Sequence, residues 1–302
     1  MALTVQPAGT LRSFGRVLLS SLRPSLAVPA LEPVALALPR VVIDAQHVAR
    51  YAAVCGFPAA GPSGRVPLTY PQMLTFPLVM HYMGSSACPW PAIGTVHLAN
   101  AITQHAPLAV GEAVRVELQT GTLHAHEKGQ VFTLALRVLR EASGECLWQA
   151  TQTLLRLGVP SPVGEVFSDG LDAPLSWDRQ GGFEVPADTG RRYAAVSGDY
   201  HPIHLWPLTA RLLGFRRAIA HGLWTQARAL ALLAPEAALA PATMQCAFKR
   251  PLWLPAQATL WQAQQAQPGP GQTLFEVRDA AGQSLHLRAL LTRHDPSGRD
   301  TP

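Results

Sequence analysis

The stretch Tyr-Ala-Ala-Val-Ser-Gly-Asp-Tyr-His-Pro-Ile-His, residues 193–204, places a carboxylate and an imidazole five positions apart. Gly198 permits backbone dihedrals that other residues avoid, and Pro202 biases the residue before it toward extended geometry. On such a bent segment, Asp199 and His204 can face the same small volume, as general acid–base catalysis requires. The alternative is an Asx-turn capped by Asp199, with His204 as a buried structural partner.

The sequence that follows predicts a buried helix with an open N-terminus. Residues 223–233 are rich in strong helix formers and apolar on every side, and Pro235 ends the run. Gly222 would then offer unpaired N–H groups at the positive end of the helix dipole. A carbonyl oxygen bound there would be stabilised as it becomes negative, which describes an oxyanion hole. Alternatively, Gly222 permits close helix packing.

These residues resemble the signature of the MaoC-like (R)-specific enoyl-CoA hydratases, a family with the hot-dog fold. The matching positions are Ser197, Gly198, Asp199, Pro202, Ile203, His204, Ile219, Ala220, His221 and Gly222. The resemblance implies that Asp199 and His204 are the catalytic pair and that the Gly222 amide binds the thioester oxygen. His201 replaces the usual Asn, which changes the hydrogen bonds available to a water molecule. Further candidates for oxyanion or substrate binding are Ser197, His201 and His221, with turn formation and packing as the alternative roles.

Composition favours a globular protein with an anionic partner. Only 14% of the 302 residues are charged, the net charge is +5 and the sequence pI is near 9.3. The sequence has neither zinc-finger spacing nor an aromatic-interleaved basic stripe, so nucleic acid is not the expected partner. No Gly-rich phosphate loop follows a strand, and the four cysteines form no Cys-x-x-Cys. We therefore expect no cofactor, no metal and a reduced, cytoplasmic protein.

The N-terminal residues 1–36 carry three arginines and no acid before Glu32. This composition predicts an N-terminal helical extension lying on the body of the protein, with a targeting segment as the alternative. The apolar run around Leu18 is too short to span a membrane.

A phrase of the sequence occurs twice. Residues 51–57, Tyr-Ala-Ala-Val-Cys-Gly-Phe, recur as Tyr-Ala-Ala-Val-Ser-Gly-Asp at 193–199, and the Pro-Leu at 107–108 recurs at 251–252. Similar offsets for separate segments predict two copies of one domain.

Each copy is predicted to contain a buried helix followed by strands. In the first copy these are a helix at 71–83, interrupted by Pro77, and strands at 95–99, 112–120, 130–139 and 145–156. In the second, strands are predicted at 243–249, 257–263, 272–279 and 283–292. We therefore expect an α+β double hot dog, two tandem domains that each wrap a curved antiparallel sheet around a long central helix. The predicted divisions are the extension 1–36, a degenerate hot-dog domain 37–157, a linker 158–190, a catalytic MaoC-like domain 191–294 and a tail 295–302.

The first copy lacks the catalytic groups of the second. Phe57 stands where the second copy has Asp199, and Pro62 stands where it has His204. Pro71 takes the place of the oxyanion-hole glycine and has no N–H to donate. We predict one active site per chain, with the first domain reshaped to receive the acyl chain.

The resemblance implies reversible (R)-specific hydration of trans-2-enoyl-CoA to 3-hydroxyacyl-CoA, with Asp199 as base and His204 orienting the water and delivering a proton, whereas the residue types alone indicate only proton transfer. A non-catalytic acyl-thioester-binding protein and a thioesterase are the alternatives. The substrate is carried by coenzyme A or by acyl carrier protein, and Lys249 and Arg250 are candidate contacts for its phosphates, unless they are merely solvated. The sequence leaves a homodimer, the acyl length and the direction of reaction open.

Overall fold

The computed structural model describes residues 3–5, 15, 30–58, 64–171, 176–235, 241–264 and 271–294. The chain forms two compact units, each assembled from several stretches of sequence. The first comprises Met1–Ile43, Pro71–Ala101 and Gly111–Asp169, and the second comprises Asp44–Tyr70, Ile102–Val110 and Gly170–Pro302.

Helices and strands both contribute, as predicted for the α+β class. The helices are α1 (Ala45–Cys55), α2 (Pro71–Met83), α3 (Thr189–Ser197), α4 (Pro202–Leu205), α5 (Pro207–Leu212) and α6 (Gly222–Leu233). The strands are β1 (Leu3–Thr4), β2 (Ala35–Val42), β3 (Thr95–Gln104), β4 (Ala113–His126), β5 (Gly129–Arg140), β6 (Cys146–Leu157), β7 (Trp177–Val185), β8 (Ala242–Phe248), β9 (Ala256–Ala263), β10 (Gln272–Asp279) and β11 (Leu285–Arg293).

In the first unit, helix α2 packs against strands β2, β4 and β5. The strands lie in the order β1-β2-β4-β5-β6-β3, and the pairs from β2 through β6 are antiparallel. Pro71 starts α2, where a missing N–H costs little because the first helical amides have no intrahelical acceptor. Pro77 lies inside α2, which continues to Met83, so the predicted interruption is wrong. Burial of the helix against the sheet offsets the lost hydrogen bond.

In the second unit, helix α6 contacts strand β11 of an antiparallel sheet with the order β8-β11-β10-β9-β7. Ala227 and Leu230 of α6 are fully buried, as the apolar sequence of this helix predicts. Helix α1 belongs to this unit and packs against α3 and α6. Trp224 of α6 donates its indole N–H to the Val54 carbonyl of α1 at 3.0 Å.

Strand β7 lies within the stretch that the sequence predicted to be a linker. It pairs with β9 from Trp177 opposite Ala263 to Val185 opposite Ala256, with a register shift near Gly181. Most of its side chains are exposed, so the strand lacks the alternation of apolar and polar residues that reveals a half-buried strand. The predicted linker is therefore shorter than 158–190.

Most of the predicted N-terminal extension lies outside the described residues. Leu3–Thr4 forms strand β1, which pairs in parallel with β2, so this part is not helical. The predicted tail at 295–302 also lies outside the described residues. Within the described part of the chain, none of the helices has the length and apolar character needed to cross a membrane.

Candidate active site

The end of helix α3 turns the chain toward Asp199. Gly198 caps the helix in the left-handed conformation, with φ of 76°, and donates its N–H to the Ala194 carbonyl. Ser197 Oγ accepts the N–H of Asp199 at 3.1 Å, and Asp199 Oδ1 accepts the N–H of His201 at 3.1 Å. The Asp199 side chain retains 30% of its exposure. Asp199 therefore forms an Asx-turn, and its carboxylate remains accessible, which is compatible with the predicted catalytic role.

His204 lies in the short helix α4. Its Nδ1 donates to the Ile219 carbonyl at 2.8 Å, because a carbonyl oxygen can only accept. His201 caps this helix, and its Nδ1 accepts the N–H of Ile203 at a long 3.4 Å. Gly190 of α3 brings the two helices together, since a Cβ at this position would lie 1.9 Å from the His204 carbonyl oxygen.

His221 stacks on His204, with ring centroids 3.7 Å apart and an interplanar angle of 25°. Its Nε2 donates to the backbone carbonyl of Asp199 at 3.0 Å and lies 3.7 Å from Asp199 Oδ2. The side chain is only 3% exposed, and its Nδ1 has no hydrogen-bond partner among the described residues. This residue, predicted as an oxyanion or substrate contact, thus joins the two predicted catalytic residues.

Gly222 is the first residue of helix α6, directly after His221. The described residues provide no acceptor for its N–H, as expected for the first turn of a helix. The Phe248 ring packs against its Cα, since a Cβ would lie 2.9 Å from Cδ1 and Cε1 of that ring. Both predicted roles of this glycine, close packing and an open amide, are therefore compatible with its surroundings.

Burial keeps the histidines of the site neutral. Loss of hydration lowers the pKa of both His204 and His221 to about 3. The neighbouring His221 lowers the pKa of His204 further, while Asp199 opposes this shift. Burial also lowers the pKa of His201, again opposed by Asp199. At neutral pH, His204 is therefore an uncharged ring with a proton on Nδ1 and a bare Nε2.

The same three side chains have the geometry of a potential ligand set. Asp199, His204 and His221 each present one ligand-type atom, and these atoms lie within 4.8 Å of one another. Each histidine donates one ring N–H to a backbone carbonyl, an arrangement that also orients metal-bound imidazoles. The cluster therefore fits acid–base chemistry and could also hold a metal ion, a use that the sequence did not lead us to expect.

Two further residues at the site were missed by the sequence analysis. Tyr193 is buried, its hydroxyl has no partner among the described residues, and its ring lies 5.0 Å from that of His221. Burial raises the pKa of Tyr193 well above its ordinary value. His47 of α1 donates from Nε2 to the Val196 carbonyl at 2.8 Å, and its Nδ1 accepts from the Tyr70 hydroxyl at 2.8 Å. The tyrosine that opens both copies of the repeated phrase was the available signal for Tyr193.

The remaining candidates lie at strand ends or in the first copy. Lys249 donates its backbone N–H to the His286 carbonyl, and Arg250 is exposed, so their role as phosphate contacts stays a prediction. Phe57 is buried and stacks near Tyr51, with centroids 6.3 Å apart, which suits a core residue. Pro62 lies outside the described residues.

Known proteins are similar to this chain in sequence and in architecture. The profile of the MaoC like domain matches residues 164–252. The 3-hydroxyacyl-thioester dehydratase X of Mycobacterium tuberculosis is 36% identical over 250 residues, covering 82% of this chain and 85% of that protein. The crystal structure of HtdX from the same organism aligns with a TM-score of 0.72 at 32% identity, covering 86% of this chain and 100% of that chain. A MaoC-like dehydratase from Phytophthora capsici, at 15% identity, aligns with a TM-score of 0.70 over 89% of this chain and 97% of that chain, which shows a shared fold.

Each unit packs a helix against an antiparallel sheet, and the aligned structures have the same architecture. This arrangement is a double hot dog, so the predicted fold is confirmed. At 36% identity over most of both chains, the protein belongs to the MaoC-like dehydratase family. It is therefore an enzyme of the hydro-lyase class.

Proposed function

We propose that the protein interconverts (R)-3-hydroxyacyl and trans-2-enoyl thioesters, with Asp199 as the catalytic base. The observation that carries this proposal is the convergence of Asp199, His204 and His221 within 4.8 Å, with His221 directly preceding the first amide of α6. The M. tuberculosis relative named 3-hydroxyacyl-thioester dehydratase X supports the same substrate class.

In the hydration direction, the Asp199 carboxylate takes a proton from water while the hydroxide oxygen bonds to the β-carbon of the enoyl group. The C=C π electrons move toward the thioester carbonyl and create an enolate oxygen. The Gly222 N–H, at the positive end of α6, stabilises that oxygen. The enolate then collapses as its α-carbon takes a proton, and dehydration follows the same steps in reverse.

In this mechanism Asp199 returns the proton to the α-carbon. The sequence had suggested His204 for this step. His204 is neutral and already donates its Nδ1 proton to Ile219, so its Nε2 has no proton to give. Nε2 instead accepts a hydrogen bond from the water and orients it toward the β-carbon. One carboxyl group that takes and returns the same proton balances the reaction.

Hydration of crotonyl-CoA, followed by loss of enone absorbance, tests the activity. Asp199→Asn removes the base and should lower kcat by roughly 10²–10⁴-fold, with an unchanged circular dichroism spectrum. Asp188→Asn is the matched control, since Asp188 caps α3 without a side-chain hydrogen bond and Asn is an equally good cap. Chiral analysis of the product should give the R enantiomer.

Two results would overturn the proposal. Release of free thiol without loss of the enone would identify a thioesterase. Full activity in Asp199→Asn would remove the carboxylate from the chemistry.

A further inference from the structure

Large apolar side chains are exposed directly after the catalytic histidine. Trp206 is 52% exposed, Leu208 is 70% exposed and Leu212 is 78% exposed. Leu208 and Leu212 are four residues apart on α5 and therefore project from the same face of that helix. Single exposed apolar residues are common, whereas several together directly after a catalytic segment are a candidate surface for a partner.

The charged residues within this stretch of sequence have one sign. Between Asp199 and Glu236 the sequence has no acidic residue. Arg211, Arg216 and Arg217 are exposed in this interval. We define the α5 face as Trp206, Leu208, Leu212 and these three arginines.

Trp206 is held in place by a further arginine. The guanidinium of Arg191 lies 3.9 Å from the centroid of the Trp206 ring, and its Nη1 donates to the Leu205 carbonyl at 2.9 Å. The hydrogen bond fixes the guanidinium, and the cation–π contact with it restricts the indole, which remains half exposed. A rigid aromatic side chain loses little entropy when a partner covers it, which suits a binding anchor.

The combination of charges and apolar groups selects the kind of partner. Free coenzyme A presents phosphates that suit arginines, but its phosphates offer nothing to cover Leu208 and Leu212. An acidic protein surface with apolar side chains at its centre complements both features. Because Trp206 follows His204 by two residues, a protein docked here would lie beside the catalytic segment.

We propose that the α5 face is the docking surface for an acidic acyl carrier protein, which delivers the thioester to the Asp199 site. This inference rests on the proposed function and specifies its carrier. The arginines steer the acidic partner during encounter, and the apolar side chains are buried in the complex.

A comparison of two substrates with the same acyl group tests this proposal. The kcat/KM of the 302-residue protein is measured with crotonyl-acyl carrier protein and with crotonyl-CoA. Arg216→Glu/Arg217→Glu and, separately, Leu208→Ala/Leu212→Ala should each lower the value for the carrier-protein substrate about tenfold or more, through KM. Activity with crotonyl-CoA should stay within about twofold, since exposed substitutions rarely disturb the fold. Arg50→Glu/Lys128→Glu, two exposed positions elsewhere, should leave both activities unchanged.

Binding of unloaded acyl carrier protein, measured by isothermal titration calorimetry, separates docking from catalysis. A protein inactive toward both substrates that still binds the carrier through this face would refute the proposed function alone. Equal losses with both substrates in the arginine variant would assign the arginines to phosphate recognition and overturn the docking proposal. A dimeric wild type that becomes monomeric in Leu208→Ala/Leu212→Ala would identify the face as a contact between two copies and also overturn it.

Discussion

At the residue scale, the site depends on small groups that allow close approach. Gly190 lets α3 approach the backbone of His204, and Gly222 lets the Phe248 ring approach the start of α6. His221 links the two proposed catalytic residues, because it stacks on His204 and donates to the backbone carbonyl of Asp199. A substitution that displaces one of these groups by about 1 Å is expected to lower the reaction rate roughly 10²-fold.

Gly222→Ala tests the packing at the proposed oxyanion amide. The added Cβ would lie 2.9 Å from the Phe248 ring, closer than real Cβ contacts, so the ring or the helix start must shift. We expect kcat for crotonyl-CoA hydration to fall by about 10²-fold, because the amide is displaced.

Adding Phe248→Leu to Gly222→Ala removes ring atoms from the clash and should recover part of the lost rate. Phe248→Leu alone provides the reference for its own effect. Unchanged activity in Gly222→Ala would show that the start of α6 tolerates the Cβ and that its placement does not limit the reaction.

At the element scale, the second unit takes one of its helices from the first half of the sequence. Helix α1 carries the first copy of the repeated phrase and packs on α3, which carries the second. The Tyr51 and Tyr193 rings that open the two copies lie 6.4 Å apart. His47 adds a polar link from α1 to the last turn of α3, just before Ser197 and Asp199.

His47→Phe tests that link. The change removes the hydrogen bonds to Val196 and Tyr70 and leaves their polar groups without this partner. We expect the free energy of unfolding, measured with urea, to fall by about 1–3 kcal/mol. His105→Ala, at an exposed position, should leave the unfolding free energy within about 0.5 kcal/mol of the wild type. Equal stability of His47→Phe and wild type would mean that the contacts contribute nothing.

At the scale of the whole molecule, two histidines that lose hydration on folding make stability depend on pH. His204 and His221 have pKa values of about 3 in the folded protein, against an ordinary value of 6.5. Between these values the unfolded chain binds protons that the folded protein excludes, so stability increases with pH. The contribution of the two neutral rings is complete above pH 6.5 and is lost as the pH falls toward 3.

Urea unfolding between pH 7 and pH 4 measures this effect. The two rings should contribute a slope of about 2.7 kcal/mol per pH unit to the plot of unfolding free energy against pH, which corresponds to the uptake of two protons on unfolding. His221→Phe should lower the slope by about one proton, whereas His105→Ala should not change it. The same slope in His221→Phe and wild type would show that His221 takes up no proton on unfolding.

The sequence by itself determined the elements whose signals are local. Helices Pro71–Met83 and Gly222–Leu233 lie where the sequence predicted them, and the eight predicted strands of the two copies correspond to observed strands. Apolar periodicity and turn residues encode such elements within a few neighbours. The long motif around Asp199 likewise identified the family.

Only the tertiary structure decided which groups meet. Strand β7 is defined by pairing with β9, because its own side chains are mostly exposed. Helix α1 lies in the second unit, and the His204 tautomer depends on the Ile219 carbonyl, 15 positions along the chain. These features depend on contacts between distant residues and on burial. Burial shifts pKa values and selects hydrogen-bond partners. A local sequence pattern encodes neither the distant contacts nor the burial.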